Sequence, residues 1–385
     1  MGYFDRALSR IEQGRSGLNK GIPIPFDKLS NFIPNIQQRT YYLVIAGTKV
    51  GKTTLTDDLF FYSAYDYYKS KKDTDTLEDF DLEIDYFSFE IDLETKIIKG
   101  ITRKLFHDYG ININADIILS RGKNYCEQEL YDLVRGYEKY FNDLEEVCTI
   151  HEMPDNPTGI HKHLYRRAEA NGEIITQNIN QDPNGTPIMR FKEYRPHNKN
   201  KFRLAFIDHV ALMAEERGFN TKQNIDKMSQ MFVMHRNNFN LTPIVVQQLN
   251  FDSDNDERHK SNRLTPTLRD IGDSKYTARD ANLIIALFNP SAFGLEKFQG
   301  YDIAKLGNTF RNLEILVNRD GEPNVNLGLN FIGAAGTFRE LPSPSLMNQV
   351  YYERASNCIN IKSKYVQNNE GIWVENPVLN NPYSN

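Results

Sequence analysis

Residues Tyr41–Thr54 read YYLVIAGTKVGKTT, an apolar run that passes into a loop of small residues and a Gly51-Lys52-Thr53 triplet. Ala46 takes the first position of the phosphate-loop pattern, Gly47, Thr48, Lys49 and Val50 follow, and Gly51, Lys52, Thr53 and Thr54 close it. The surroundings fit. YYLVI in front has the composition of a buried strand, and TLTDDLFFYSAYDYY behind has helical apolar spacing. Backbone N–H groups of such a loop converge with the helix N-terminus on one point and hold an anion there. Lys52 then reaches the β- and γ-phosphates and Thr53 ligates Mg²⁺, so ATP or a related nucleotide is the expected ligand.

Outward from this loop the pattern repeats. IDYFSFE precedes an amphipathic stretch from Glu94 to Tyr109, and FRLAFID precedes another from about Asn224 to Asn238. TPIVVQQ and NLIIALF complete the series. Strands that are apolar nearly throughout, alternating with helices, predict an α/β domain with a mostly parallel sheet covered on both faces, from Ile22 to Leu341. Phosphoryl transfer to water further needs a carboxylate near the metal and a group that orients the water. Asp208 ends FRLAFID and Glu90 ends IDYFSFE, at the sheet edge where α/β folds bind ligands. Taken singly, Asp208 also reads as the start of a loop and Glu90 as a helix-dipole carboxylate.

The flanks are different. Phe4, Leu8 and Ile11 make one apolar stripe on a short helix, and Gly14, Gly17 and Gly21 tether it flexibly across residues 1–21. Docking on its own domain and docking on a neighbour both fit. Two polar arms joined by DPNG, from Glu173 to Arg195, predict an inserted β-hairpin with Asn184-Gly185 at its turn. From Pro342 to Asn385 the chain lacks periodicity and is expected to be irregular.

The 385 residues, 39% apolar and 25% charged, have the composition of a globular protein. No apolar run approaches the ~18 residues of a membrane helix and the start lacks a signal peptide, so a cytoplasmic protein without membrane contact is expected. Net charge is −5, so any nucleic-acid contact must be local. Cys126, Cys148 and Cys358 are too few and too scattered for a disulfide framework or a zinc motif. His151, His161 and His163 have no supporting cysteine or paired helical spacing and are expected to be ordinary surface or core histidines. DSDNDE, Asp252–Glu257, lacks the glycine and glutamate of a calcium loop and reads as solvated. The aromatic run FFYSAYDYY reads as core.

AGTKVGKTTL, YFSFEIDLETKI, LAFIDHVALM, VVQQLN, TLRDIGDSKYTARDANLII and VNRDG stand in the order and at roughly the spacing of the motifs of DnaB-like replicative DNA helicases, which the sequence resembles over Ile22–Leu341. The resemblance implies a RecA-like motor domain and an ATP hydrolase that forms a hexameric ring, translocates on single-stranded DNA with 5′-3′ polarity, and meets a primase or loader. It implies Lys52 on the phosphates, Thr53 and Asp208 on Mg²⁺, Glu90 as the catalytic base and Gln248 as a sensor. Arg319 becomes an arginine finger on the neighbour's nucleotide. Arg269, Asp270, Gly272 and Lys275 become contacts to the strand, beside a second loop containing AEERGFNTK. The sequence departs from the family at Val317 and Phe251, where basic residues are usual, and at the inserted hairpin. The family's N-terminal domain is expected to be absent, the helix before Gly14 taking the place of the linker helix that docks on the next subunit. A RecA-like recombination ATPase and an ATP-binding scaffold of a replication or packaging complex are the alternatives.

Overall fold

Tyr42 to Ala46 are all buried, and this strand, β1, sits in the middle of a nine-stranded sheet. The computed structural model describes residues 2–15, 20–76, 80–181, 184–249, 264–272, 274–358, 365–367 and 373–375. The calcium-like stretch 252–257, Phe251 and Asp273 lie outside them.

Further strands are β2 (Asp81–Ser88), β3 (Cys148–His151), the hairpin arms β4 (Gly172–Gln181) and β5 (Pro187–Pro196), β6 (Lys201–Asp208), β7 (Leu241–Gln248) and β8 (Leu283–Phe288). A small ribbon, β9 (Lys297–Phe298) and β10 (Tyr301–Asp302), precedes β11 (Phe310–Asn318), β12 (Val325–Ile332) and β13 (Thr337–Glu340). The large sheet runs β13-β12-β11-β8-β1-β7-β6-β2-β3. From β8 to β3 the pairings are parallel, and β11, β12 and β13 add antiparallel. This is the mostly parallel RecA-like sheet expected, with the β4–β5 hairpin outside it.

Alternate residues of β1 serve different cores. Tyr42, Val44 and Ala46 join a cluster with Leu55, Phe60, Phe61, Tyr62 and Tyr65, so the aromatic run is core as read. Leu43 and Ile45 join Ile160, Leu164, Ile225 and Phe232 on the other side. A strand packed on both faces cannot alternate polar with apolar, which explains the continuous runs in the sequence.

In chain order the helices that precede β7 are α1 (Tyr3–Arg15), α2 (Lys52–Thr56), α3 (Ser63–Asp73), α4 (Leu93–Tyr109), α5 (Ala115–Ile118), α6 (Gln128–Arg135), α7 (Glu138–Glu145), α8 (Pro157–Asn171) and α9 (Thr221–Phe239). A π-helical stretch, Asp57–Tyr62, joins α2 to α3, so the helix expected after the phosphate loop is continuous. Asp92 caps α4 by accepting from the Thr95 N–H, and Asn220 with Gln223 forms a capping box on α9. Tyr3, Phe4, Leu8 and Ile11 of α1 are exposed at 91, 77, 42 and 60%, so its apolar stripe faces away from the domain.

One expectation fails. The stretch after Pro342 contains a helix, Gln349–Ser356, capped by the Asn348 side chain. Tyr352 and Ala355 bury against Tyr301, Leu306, Phe310 and Leu341, a small core built from elements the tail meets only in three dimensions. Beyond it, Tyr365–Gln367 pairs with Trp373–Glu375. Among the described residues no helix is long and apolar enough to cross a membrane.

Candidate nucleotide site

The phosphate loop leaves β1 at Ala46 and turns into α2 through Gly51, whose φ of 108° an L side chain rarely adopts. A Cβ there would also lie 3.1 Å from the Phe338 ring, so glycine is required on two counts. Phe338 stacks on Phe331 with centroids 4.9 Å apart, a wall for the loop. Arg311, buried on β11, donates from Nε to the Val50 carbonyl at 2.8 Å and from Nη1 to the carbonyls of Asn308 and Phe310 at 2.7 and 2.8 Å. It has no carboxylate partner among the described residues, and burial pushes its pKa down to about 10. Sequence reasoning missed this residue. Its only signal is an arginine inside an apolar strand two positions across the sheet from β1.

Lys52 is buried at the start of α2 and donates to the Gly47 carbonyl at 3.3 Å. Desolvation lowers its pKa, and the carboxylates of Glu90 and Asp208 pull it back up, so both expected carboxylates face the lysine. β2 and β6 bring this about. Ser88 pairs with Asp208 in register, and the Phe89 N–H donates to the Asp208 carbonyl at 3.0 Å, leaving Glu90 exposed just past the edge.

Asp208 is 2% exposed. Burial raises its pKa, Lys96 and the Thr53 hydroxyl lower it, and Glu90 raises it. Tyr86 donates to Oδ2 at 3.5 Å, but buried Oδ1 has no partner among the described residues. A desolvated carboxylate oxygen without a donor, beside a threonine hydroxyl, is a set of hard oxygen ligands, so Thr53 and Asp208 fit Mg²⁺. Behind them Lys96 donates to both oxygens of Asp57 at 2.9 Å and lies 3.6 Å from the Tyr86 ring centroid. This layer too was missed, because its residues come from three separate elements.

Gln248, the last residue of β7, is in register with Ala46 and donates from Nε2 to the Thr48 hydroxyl at 2.8 Å. Its neighbour Gln247 points to the other face. Fully buried, it donates to the carbonyls of Gly272 and Ser274 at 2.7 and 3.1 Å and accepts from the Thr277 hydroxyl at 2.6 Å. Arg269 and Lys275 are exposed on that segment. Asp270 instead folds back to cap Thr267, accepting from its N–H and hydroxyl at 2.7 and 2.8 Å, and Gly272 is buried with its carbonyl occupied.

Arg319 stands elsewhere. Asn318 pairs with Leu283, which is in register with Tyr42 at the start of β1, whereas the loop leaves from its end. Four residues of strand, about 13 Å, separate the two edges. The Arg319 N–H donates to the Asn282 carbonyl at 3.1 Å and its guanidinium to the Arg279 carbonyl. Arg236 lies close enough to feel the charges of both Arg319 and Arg39, making a basic group at the edge opposite Lys52.

No curated protein matches the sequence. Residues 162–340 match the family described as the DnaB-like helicase C terminal domain. Among solved structures, the fold is similar to one described as an ATPase domain, with a TM-score of 0.60 and 17% identity, over 89% of this chain and 100% of that one. It is also similar to a DnaB-like replicative helicase described with its interactions with primase, with a TM-score of 0.57 and 17% identity, over 88% of this chain and 67% of that one. The family match starts after the phosphate loop. A mostly parallel sheet with a phosphate loop at its central strand, together with that match, makes the chain similar over residues 162–340 to the DnaB-like helicase C terminal domain.

Proposed function

We propose that the chain is the motor of a replicative DNA helicase, an ATP hydrolase that assembles into a ring, hexameric as in the family, and draws single-stranded DNA through its centre. The observation that carries this reading is the division of parts between two edges of one sheet. Lys52, Thr53, Glu90, Asp208 and Gln248 share one edge, and exposed Arg319 stands at the other. A neighbour in the same orientation can present its Arg319 to this chain's Lys52; a lone chain cannot.

Lys52 holds the β- and γ-phosphates, and the loop N–H groups, kept in place by Arg311 on the Val50 carbonyl, cradle them. Mg²⁺ on Thr53 and Asp208 would neutralise charge on the phosphate oxygens. Glu90, exposed past the end of β2, takes the proton of the attacking water. Arg319 of the next protomer stabilises charge on the transferred group, a contribution on the order of 10³ to 10⁵ in rate. Gln248 reads the state of the loop through Thr48. Adjacent Gln247 holds the segment bearing Arg269 and Lys275, so a change at the nucleotide reaches the strand contact in one step along β7. Asp270 and Gly272 shape this segment from within. Arg269 and Lys275 meet the phosphates, and a primase or loader is the expected protein partner.

Forked DNA tests this reading. Unwinding that requires ATP and a free 5′ single strand, and that Lys52→Ala abolishes, is the expected result. Strand pairing without unwinding would favour a recombination ATPase. Hydrolysis indifferent to DNA would favour a scaffold.

A further inference from the structure

Asp85, His151 and His163 converge on the face of β2 away from the phosphate loop. The His151 and His163 Nε2 atoms lie 3.1 and 2.7 Å from the same Asp85 oxygen, Oδ1. One ligand atom from each of the three residues falls within 4.8 Å of the other two. With metal–nitrogen and metal–oxygen bonds of about 2.0–2.2 Å, the edges of a tetrahedral site are about 3.3–3.6 Å. To hold an ion between them, the carboxylate oxygen must draw back from His151 by roughly 0.2–0.5 Å and from His163 by roughly 0.6–0.9 Å, shifts within reach of side-chain rotation.

Nothing in this cluster depends on a flexible loop. Asp85 is held in the sheet on both sides, in register with Thr149 of β3 and Ala205 of β6. His151, the last residue of β3, stacks on Phe87 with centroids 4.4 Å apart and planes 14° apart. His163 lies on α8 with its ring edge-on to His151, centroids 4.6 Å apart. Asp85 is 2% exposed while the histidine side chains are 23 and 34% exposed, so the carboxylate is buried and the imidazoles open to solvent. An ion can enter from that side and keep water in a fourth position.

Arg167 is the competing cation. Its Nε lies 3.6 Å from Asp85 Oδ2 and 3.5 Å from Glu83, and it has no hydrogen-bond partner among the described residues. It faces the second carboxylate oxygen and leaves Oδ1 to the histidines. Glu83 is engaged by Arg203 at 3.1 Å and by Asn171 at 2.7 Å, and so is not a ligand.

We propose that Asp85, His151 and His163 form a site for a borderline divalent cation of the Zn²⁺ class, separate from the Mg²⁺ of the nucleotide pocket. Two imidazoles and one carboxylate select zinc, cobalt or nickel over magnesium, which keeps to oxygen ligands. When the ion binds, each neutral imidazole moves its proton from Nε2 to Nδ1, and metal–nitrogen bonds replace the two hydrogen bonds to Oδ1. The ion ties the short edge strand β3 to β2 and α8. The three ligands come from three elements, which is why the histidines alone carried no such signal. His161, between the two on the chain, is turned away and pairs with His235 at 2.9 Å.

The full chain, stripped with a chelator and kept in excess Mg²⁺, is titrated with Co²⁺ while visible absorption is followed. One equivalent taken up with the strong bands of a low-coordinate site is expected. His151→Ala and His163→Ala each weaken uptake about tenfold or more, and His161→Ala leaves it unchanged. Zn²⁺ should raise the unfolding temperature of the parent but not of either ligand variant, each first shown to be folded by circular dichroism. Absence of saturable uptake by the parent, or equal uptake by the ligand variants, overturns the proposal.

Discussion

Asp208, Lys52, Arg311 and His235 are all buried, and each is held at a cost that burial alone would not allow. Asp208 and Lys52 face each other with Glu90 across the pocket, and Arg311 is satisfied by carbonyls. His235 is the plainest case. Desolvation first, then His161 and Arg203, lower its pKa from 6.5 to about 3, and its Nδ1 has no partner among the described residues. The unfolded chain therefore takes a proton near pH 6.5 that the folded chain refuses until about pH 3. More protons bind to the unfolded state within that window, so stability falls as pH drops, by up to about 1.4 kcal/mol per pH unit. Thermal or urea unfolding followed from pH 7 to pH 4 is expected to show a flatter slope for His235→Gln than for the parent. Equal slopes would place the acid sensitivity elsewhere, with His107, also lowered by burial, the next group to replace.

At the scale of elements, β7 joins two functions through consecutive glutamines on opposite faces. Gln247→Leu keeps the size of the side chain while removing its bonds to Gly272, Ser274 and Thr277. Losing such buried bonds costs about 1–3 kcal/mol. The expected kinetic result is a several-fold loss of DNA-stimulated hydrolysis with basal turnover and the KM for ATP nearly unchanged. An equal fall in basal and stimulated rates would mean that β7 only supports the fold. The strands were legible because burial on both faces leaves continuous apolar runs, as in YLVIA and FRLAFID. Lys52 was legible from the spacing of the phosphate-loop motif, and Asp208 and Glu90 because each stands where such a run stops. Arg311, Gln247 and Asp85 were not, since each acts on an element far away in sequence and neither periodicity nor motif spacing encodes that meeting. The helix Gln349–Ser356 escaped for the same reason, most of its apolar partners lying on β10, β11 and the chain between them.

Across the whole molecule, the exposed stripe of α1 and the basic edge around Arg319 both point away from the chain's own core. An acidic net charge of −5 agrees with DNA contact confined to a few groups repeated around a ring rather than spread over a surface. The account rests on a nucleotide pocket completed by the next protomer. ATP turnover per protomer, followed against protein concentration alongside the mass of the assembly, tests this for the parent and for Arg319→Ala. Turnover is expected to rise as the ring forms, and Arg319→Ala is expected to assemble and bind ATP yet hydrolyse it at least about 10³-fold more slowly. A monomer that hydrolyses as fast as the assembly, with Arg319→Ala equal to the parent, would contradict it.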